Sequence, residues 1–118
     1  MAARWCDSQS VLSISNLGDA VEMNMQFPNL NIPDYQMVSA IEPDDSVELT
    51  HQGDRFWVKV DVVDITDSTC EFIGKVTDGL VYGNHPFTIG DCIRFHGRNV
   101  LNIHSREWKD ELRISPNE

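Results

Sequence analysis

The chain has 118 residues, which is enough for one domain and little more. At 41% hydrophobic and 24% charged residues it falls in the globular range, which excludes wholesale disorder. Its net charge of −10, from 19 Asp+Glu against 9 Lys+Arg, disfavours direct binding to nucleic acid or anionic lipid, because phosphate contacts need Lys and Arg.

At the N-terminus no apolar core follows Arg4, so no secretory signal is expected, and no apolar run approaches the ~20 residues that span a bilayer. Residues 10–14 alternate and suit a short edge strand. Asn16 is placed to cap a helical turn or two through Leu17, Ala20, Val21 and Met25, which Phe27-Pro28 stops. Pro33-Asp34 opens a second short helix with Tyr35, Val38 and Ile41 on one face, ended by Pro43.

From Ser46 onward the period changes from helical to alternating. Ser46–His51 is the first strand, with Val47 and Leu49 on one face. Arg55–Ile65 is the strongest, with Phe56, Val58, Val60 and Val62 facing one way and Trp57, Lys59, Asp61 and Val63 the other. Residues 69–76 return, with Phe72 and Val76 inward and Gly74 marking a bulge or sharp bend. Leu80–Tyr82 forms a brief strand, and Cys92–His96 turns Ile93 and Phe95 inward. Gly97-Arg98-Asn99 makes a last hairpin turn into Val100–Ile103. Short strands divided by Gly, Asp and Asn turns predict a mainly β fold: a small, strongly bent antiparallel barrel or roll of about five strands, with one or two short helices before it. Residues 1–16 are an N-terminal extension, 17–104 a single domain, and 105–118 a polar tail in which Trp108 and Leu112 share a helical face. Trp57, opposite the inward face, is expected to be covered by residues 17–41, whose Met23, Met25, Phe27, Tyr35 and Val38 need a surface.

Met23-Asn24, Phe27-Pro28 and Ile32-Pro33, then residues 41–47 and Arg55-Phe56-Trp57-Val58-Lys59-Val60, carry a resemblance. So do Gly90-Asp91 and Ile93-Arg94-Phe95. Together they resemble an uncharacterised family of small β-barrel proteins from bacteria and their phages. The resemblance spans roughly residues 17–104. It implies a compact barrel and brings no reaction and no catalytic residues.

Motifs of catalysis are thin. Cys6, Cys70 and Cys92 are odd in number and lack a CxxC pair, which is the usage of reduced thiols in a cytoplasmic protein. Cys92 and His96, four apart on one strand with Arg94 between, read as outward-facing residues, and no closely spaced ligand pair suggests zinc. Asp61, Asp64 and Asp67 read as solvated acids of a hairpin end, without the Gly and Glu of a calcium loop. No P-loop, GxSxG, HExxH or Rossmann signature occurs, so no enzyme, metal or cofactor is expected.

Charge asymmetry is the stronger signal. Residues 1–54 hold nine acids and the single base Arg4, a net charge of −8, and the rest of the chain holds −2. The sequence therefore predicts a non-enzymatic acidic binding module, encoded by a phage or mobile element. It would bind and inhibit a host protein with a basic surface in the cytoplasm, in the manner of an anti-defence or anti-CRISPR protein. Glu42, Asp44, Asp45, Glu48 and Asp54, with Trp57, are the candidate partner-binding residues. The alternative is a small-ligand or nucleic-acid-binding barrel using Trp57, Tyr82, Arg94 and Arg98.

Overall fold

In a computed structural model, which describes residues 5–6, 10–14, 16–66, 69–80 and 85–104, one six-stranded sheet organises the chain. The elements in order are β1 (Leu12–Ser13), α1 (Ala20–Gln26), α2 (Tyr35–Ser39), β2 (Ser46–His51), β3 (Asp54–Ile65), β4 (Cys70–Asp78) and β5 (Cys92–His96). A 3-10 turn (Gly97–Asn99) and β6 (Asn102–His104) follow. The strand order is β1-β5-β4-β3-β2-β6. No helix among the described residues is long and apolar enough to cross a membrane.

Alternation creates the core. Val47 and Leu49 of β2, Phe56, Val58 and Val60 of β3, Phe72 and Val76 of β4, and Ile93 and Phe95 of β5 are all buried on one face. The rings of Phe72 and Phe95 stack with centroids 5.3 Å apart, as their cross-strand register requires. Val38 and Ile41 from the second helical segment, Phe87 and Val100 complete the cluster.

Within β3 the alternation breaks at Asp61. Val60 pairs with Gly74 but Val62 pairs with Ile73, so β3 carries one extra residue. Beyond the bulge the parity flips. Val63, opposite Phe72, joins the core, and Val62 turns away from the face that the alternation had assigned to it. Gly74 is where β3 comes closest. A Cβ there would lie 2.6 Å from the Lys59 carbonyl oxygen and 2.5 Å from a Val58 methyl, so only glycine fits.

Four expectations need correction. The sheet is mixed rather than antiparallel, because β1 runs parallel to β5. It is not closed into a barrel: β1 and β6 stand at opposite edges, with two and three residues each. Gly97-Arg98-Asn99 is not a hairpin turn. Val100 and Leu101 both plunge into the interior after it, and the chain emerges to pair β6 with β2, not β5. The cysteines are not all reduced: Cys6 and Cys92 form a disulfide, and Cys92, in place of facing outward, is buried by it. The first helix also begins elsewhere than expected. Asp19, not Asn16, caps α1, accepting from the N–H groups of Val21 and Glu22, while Asp34 caps α2 as expected. The strand expected at Leu80–Tyr82 and the face of Trp108 and Leu112 lie largely or wholly outside the described residues.

Phe95→Ala, which empties the space against Phe72, should lower the unfolding free energy by about 3–5 kcal/mol in a denaturant titration. A change below about 1 kcal/mol would contradict the inward placement. The disulfide closes a loop of 86 residues, so Cys6→Ser should cost about 2–4 kcal/mol, with mass mapping finding Cys70 the sole alkylated cysteine in the unreduced protein.

Candidate protein-binding surface

The acids singled out by charge separate into exposed and buried sets. Glu42 is exposed. Asp44, half-buried in a left-handed conformation (φ 82°), sits 3.9 Å from Lys59 Nζ. Asp45 is buried, and its Oδ2 accepts from the Glu42 N–H at 2.9 Å, closing the turn that leads into β2. Glu48 is half-buried and accepts from Asn102 Nδ2 of β6 at 3.0 Å. It lies directly opposite Trp57 in the β2–β3 register, so these two are neighbours on the outer face. Trp57 is not covered by the helices as expected. It packs on His104 of β6, with ring centroids 5.2 Å apart.

Asp54 belongs to a different arrangement. Its Oδ2 lies 3.0 Å from His85 Nε2, and His85 Nδ1 lies 2.7 Å from His51 Nδ1, all three side chains being largely or wholly buried. Phe87 packs against both imidazoles, holding the chain of groups in apolar surroundings. The carboxylate sets the tautomer: His85 Nε2–H donates to Asp54, and a single proton lies between the two Nδ1 atoms. A second proton would set two N–H groups facing each other at 2.7 Å. Burial, and then the neighbouring His85, hold the His51 pKa below its ordinary value of 6.5. Neither imidazole hydrogen-bonds a Ser, Thr or Cys side chain among the described residues, so the geometry is that of a buried lock between the β2–β3 turn and residue 85. Sequence reasoning missed it. The partners lie 31 and 34 positions apart, and no local spacing joins them.

Asp61 likewise leaves the surface assigned to it. It is buried, and its Oδ2 accepts from the N–H groups of Trp5 and Cys6 at 3.1 and 2.9 Å. Asp64 is exposed and Asp67 lies outside the described residues, so the three acids do not form one cluster. Among the described residues no group of three or more His, Cys, Asp or Glu side chains is placed to hold a metal. Of the residues in the alternative reading, Arg94 and Arg98 are exposed on and after β5, and Tyr82 lies outside the described residues.

The surface that charge alone did not single out is on the helical segment. Met25, Phe27, Tyr35 and Met37 are 76%, 63%, 66% and 54% exposed. Only Ala20 of α1 and Val38 of α2 are buried, because both helices are too short to offer a continuous inward stripe. Four large apolar side chains within thirteen positions thus face solvent, in a stretch where residues 5–54 contain no Lys or Arg. Exposed Glu22 and Asp34 stand among them.

No protein-family model, curated protein or solved structure matches the chain.

With the folded-state pKa of His51 depressed, its contribution is complete above pH 6.5 and is lost as pH falls below that value. The melting temperature should therefore drop as pH falls below 6.5, and His51→Gln should flatten that part of the curve. An equally steep fall in His51→Gln would contradict the assignment. Asp19 does not share this window. Burial alone would raise its pKa, but the Glu22 N–H and the Arg98 guanidinium outweigh burial and lower it, so its contribution is lost only below pH 3.8.

Proposed function

We propose that this protein acts by binding another protein, through the helical face of residues 20–37, and that the partner offers a basic, apolar segment. The observation that carries this reading is the set of exposed Met25, Phe27, Tyr35 and Met37 within a base-free, acid-bearing stretch. Single exposed apolar residues are ordinary, but a concentration of large ones is the composition of interface centres, where Met and aromatics are enriched. Unbranched methionines adapt to a partner's shape, and the acids around them favour Lys and Arg on its rim. Glu42, Asp44 and Glu48 would add to the attraction at longer range. Asp45 and Asp54 are occupied inside the fold and are set aside.

The narrower form, inhibition of a nucleic-acid-handling host protein by a phage-encoded module of a β-barrel family, draws on the charge of the chain and on the sequence resemblance alone. The Cys6–Cys92 disulfide weighs against a reducing cytoplasm as the working compartment and favours an oxidising one. Competition between this protein and an oligonucleotide for the same partner would be the mark of that narrower form.

A synthetic amphipathic helix of leucine and lysine serves as probe, with its leucine–glutamate counterpart as control. The protein should bind the lysine peptide at least about tenfold more tightly than the glutamate peptide, and the double variant Met25→Asp, Phe27→Asp should lose about tenfold or more with unchanged melting. Equal binding of both peptides, or an unaffected double variant, would overturn the reading.

A further inference from the structure

We propose that the cleft between α2 and the 97–99 turn binds a small ligand made of an apolar body and a carboxylate. The site does not depend on the protein-binding reading above. The cleft holds about 480 Å3, within the range of about 300–1,000 Å3 typical of small-ligand sites. Val21, Pro33, Tyr35 and Val38 supply its apolar lining, and Cys70 reaches it from the edge of the core. Gly97 lets the turn approach α2, since a Cβ there would fall 2.8 Å from a Val38 methyl. The cleft is thus bounded by packed elements rather than by loop side chains alone.

Arg98 supplies the recognition group. Its Nε donates to Asp19 Oδ2 at 2.9 Å. Asp19 is itself fixed, because it caps α1 through the N–H groups of Val21 and Glu22. One edge of the guanidinium is therefore held, while its two terminal NH2 groups have no hydrogen-bond or ion-pair partner among the described residues. That pair is the planar fork that matches a carboxylate, and the side chain is 60% exposed at the cleft rim. Asp34, the carboxylate on the same rim, has Oδ1 engaged by the Met37 N–H. A chain of net charge −10 repels anions in general, so discrimination in favour of a carboxylate falls on Arg98 itself. The apolar walls then select a ligand with a hydrocarbon or aryl body over a bare anion such as acetate.

Cys70 provides the readout, since Cys6 and Cys92 are joined and Cys70 is the free thiol lining the cleft. Octanoate is the probe, octanamide is the neutral control, and the rate of Cys70 alkylation by iodoacetamide is measured. Octanoate should slow alkylation saturably, by about tenfold when the cleft is nine-tenths filled, and octanamide should slow it far less. In Arg98→Gln, checked for unchanged melting, the effect of octanoate should fall to that of octanamide, and Arg98→Lys should lie between. Amide shifts at Val38 and Gly97 on octanoate addition would place the ligand. The proposal is overturned if octanoate leaves the rate unchanged, if octanamide protects equally, or if Arg98→Gln is protected as well as the native protein.

Discussion

The bulge at Asp61 is the constraint on which the rest of the structure hangs. β3 is the longest strand and the centre of the sheet, and one extra residue in it does three things. It reverses the facing of everything beyond Val60, bringing Val63 rather than Val62 to the core. It forces glycine at position 74, where the partner backbone comes too close for any side chain. And it buries a carboxylate whose charge must be answered. A buried unpaired Asp would cost several kcal/mol, and the N–H groups of Trp5 and Cys6 answer it at hydrogen-bonding distance. Lys59 extends over the Trp5 ring from the same strand, 5.6 Å from its centroid. The disulfide from Cys6 to β5 then ties that N-terminal turn down covalently.

This chain of dependence explains why Trp5 and Cys6 are held against the sheet. It also explains where surface is left over. With the core filled by strand side chains, Phe87 and Val100, the two short helices have little apolar area to cover, and each commits one buried residue. Their remaining large side chains face outward, where they are available to a partner. The same excursion leaves the cleft beside the 97–99 turn, with Arg98 held at its rim by the cap of α1. Two candidate binding features therefore arise from one cause, a helical segment larger than the sheet requires.

What the sequence revealed was whatever depends on period and on local turn chemistry. β2 and β5 have the boundaries that alternation assigned, Asp34 caps α2, and Phe56, Val58, Val60, Phe72, Ile93 and Phe95 are buried as expected. What it hid depends on pairing between distant positions. The parallel contact of β1 with β5, the crossing of β6 to β2 and the Cys6–Cys92 bond have no local signature. The same holds for the candidate site. Counting acids along the chain grouped Asp45 and Asp54 with Glu42 and Glu48, although hydrogen bonds to the Glu42 N–H and to His85 draw the first two inside. Charge reads as surface until a partner is found for it: Asp45 finds one in its own turn, and Asp54 finds one 31 positions away.

The central claim is that Asp61, buried by the bulge, anchors the N-terminal turn. Native-state hydrogen exchange at the Trp5 and Cys6 amides tests it directly. Both amides should exchange at least about a hundredfold more slowly than in an unstructured peptide, despite lying so near the chain's N-terminal end. Exchange of both at unstructured-peptide rates, with the β3 and β4 amides still protected, would contradict it.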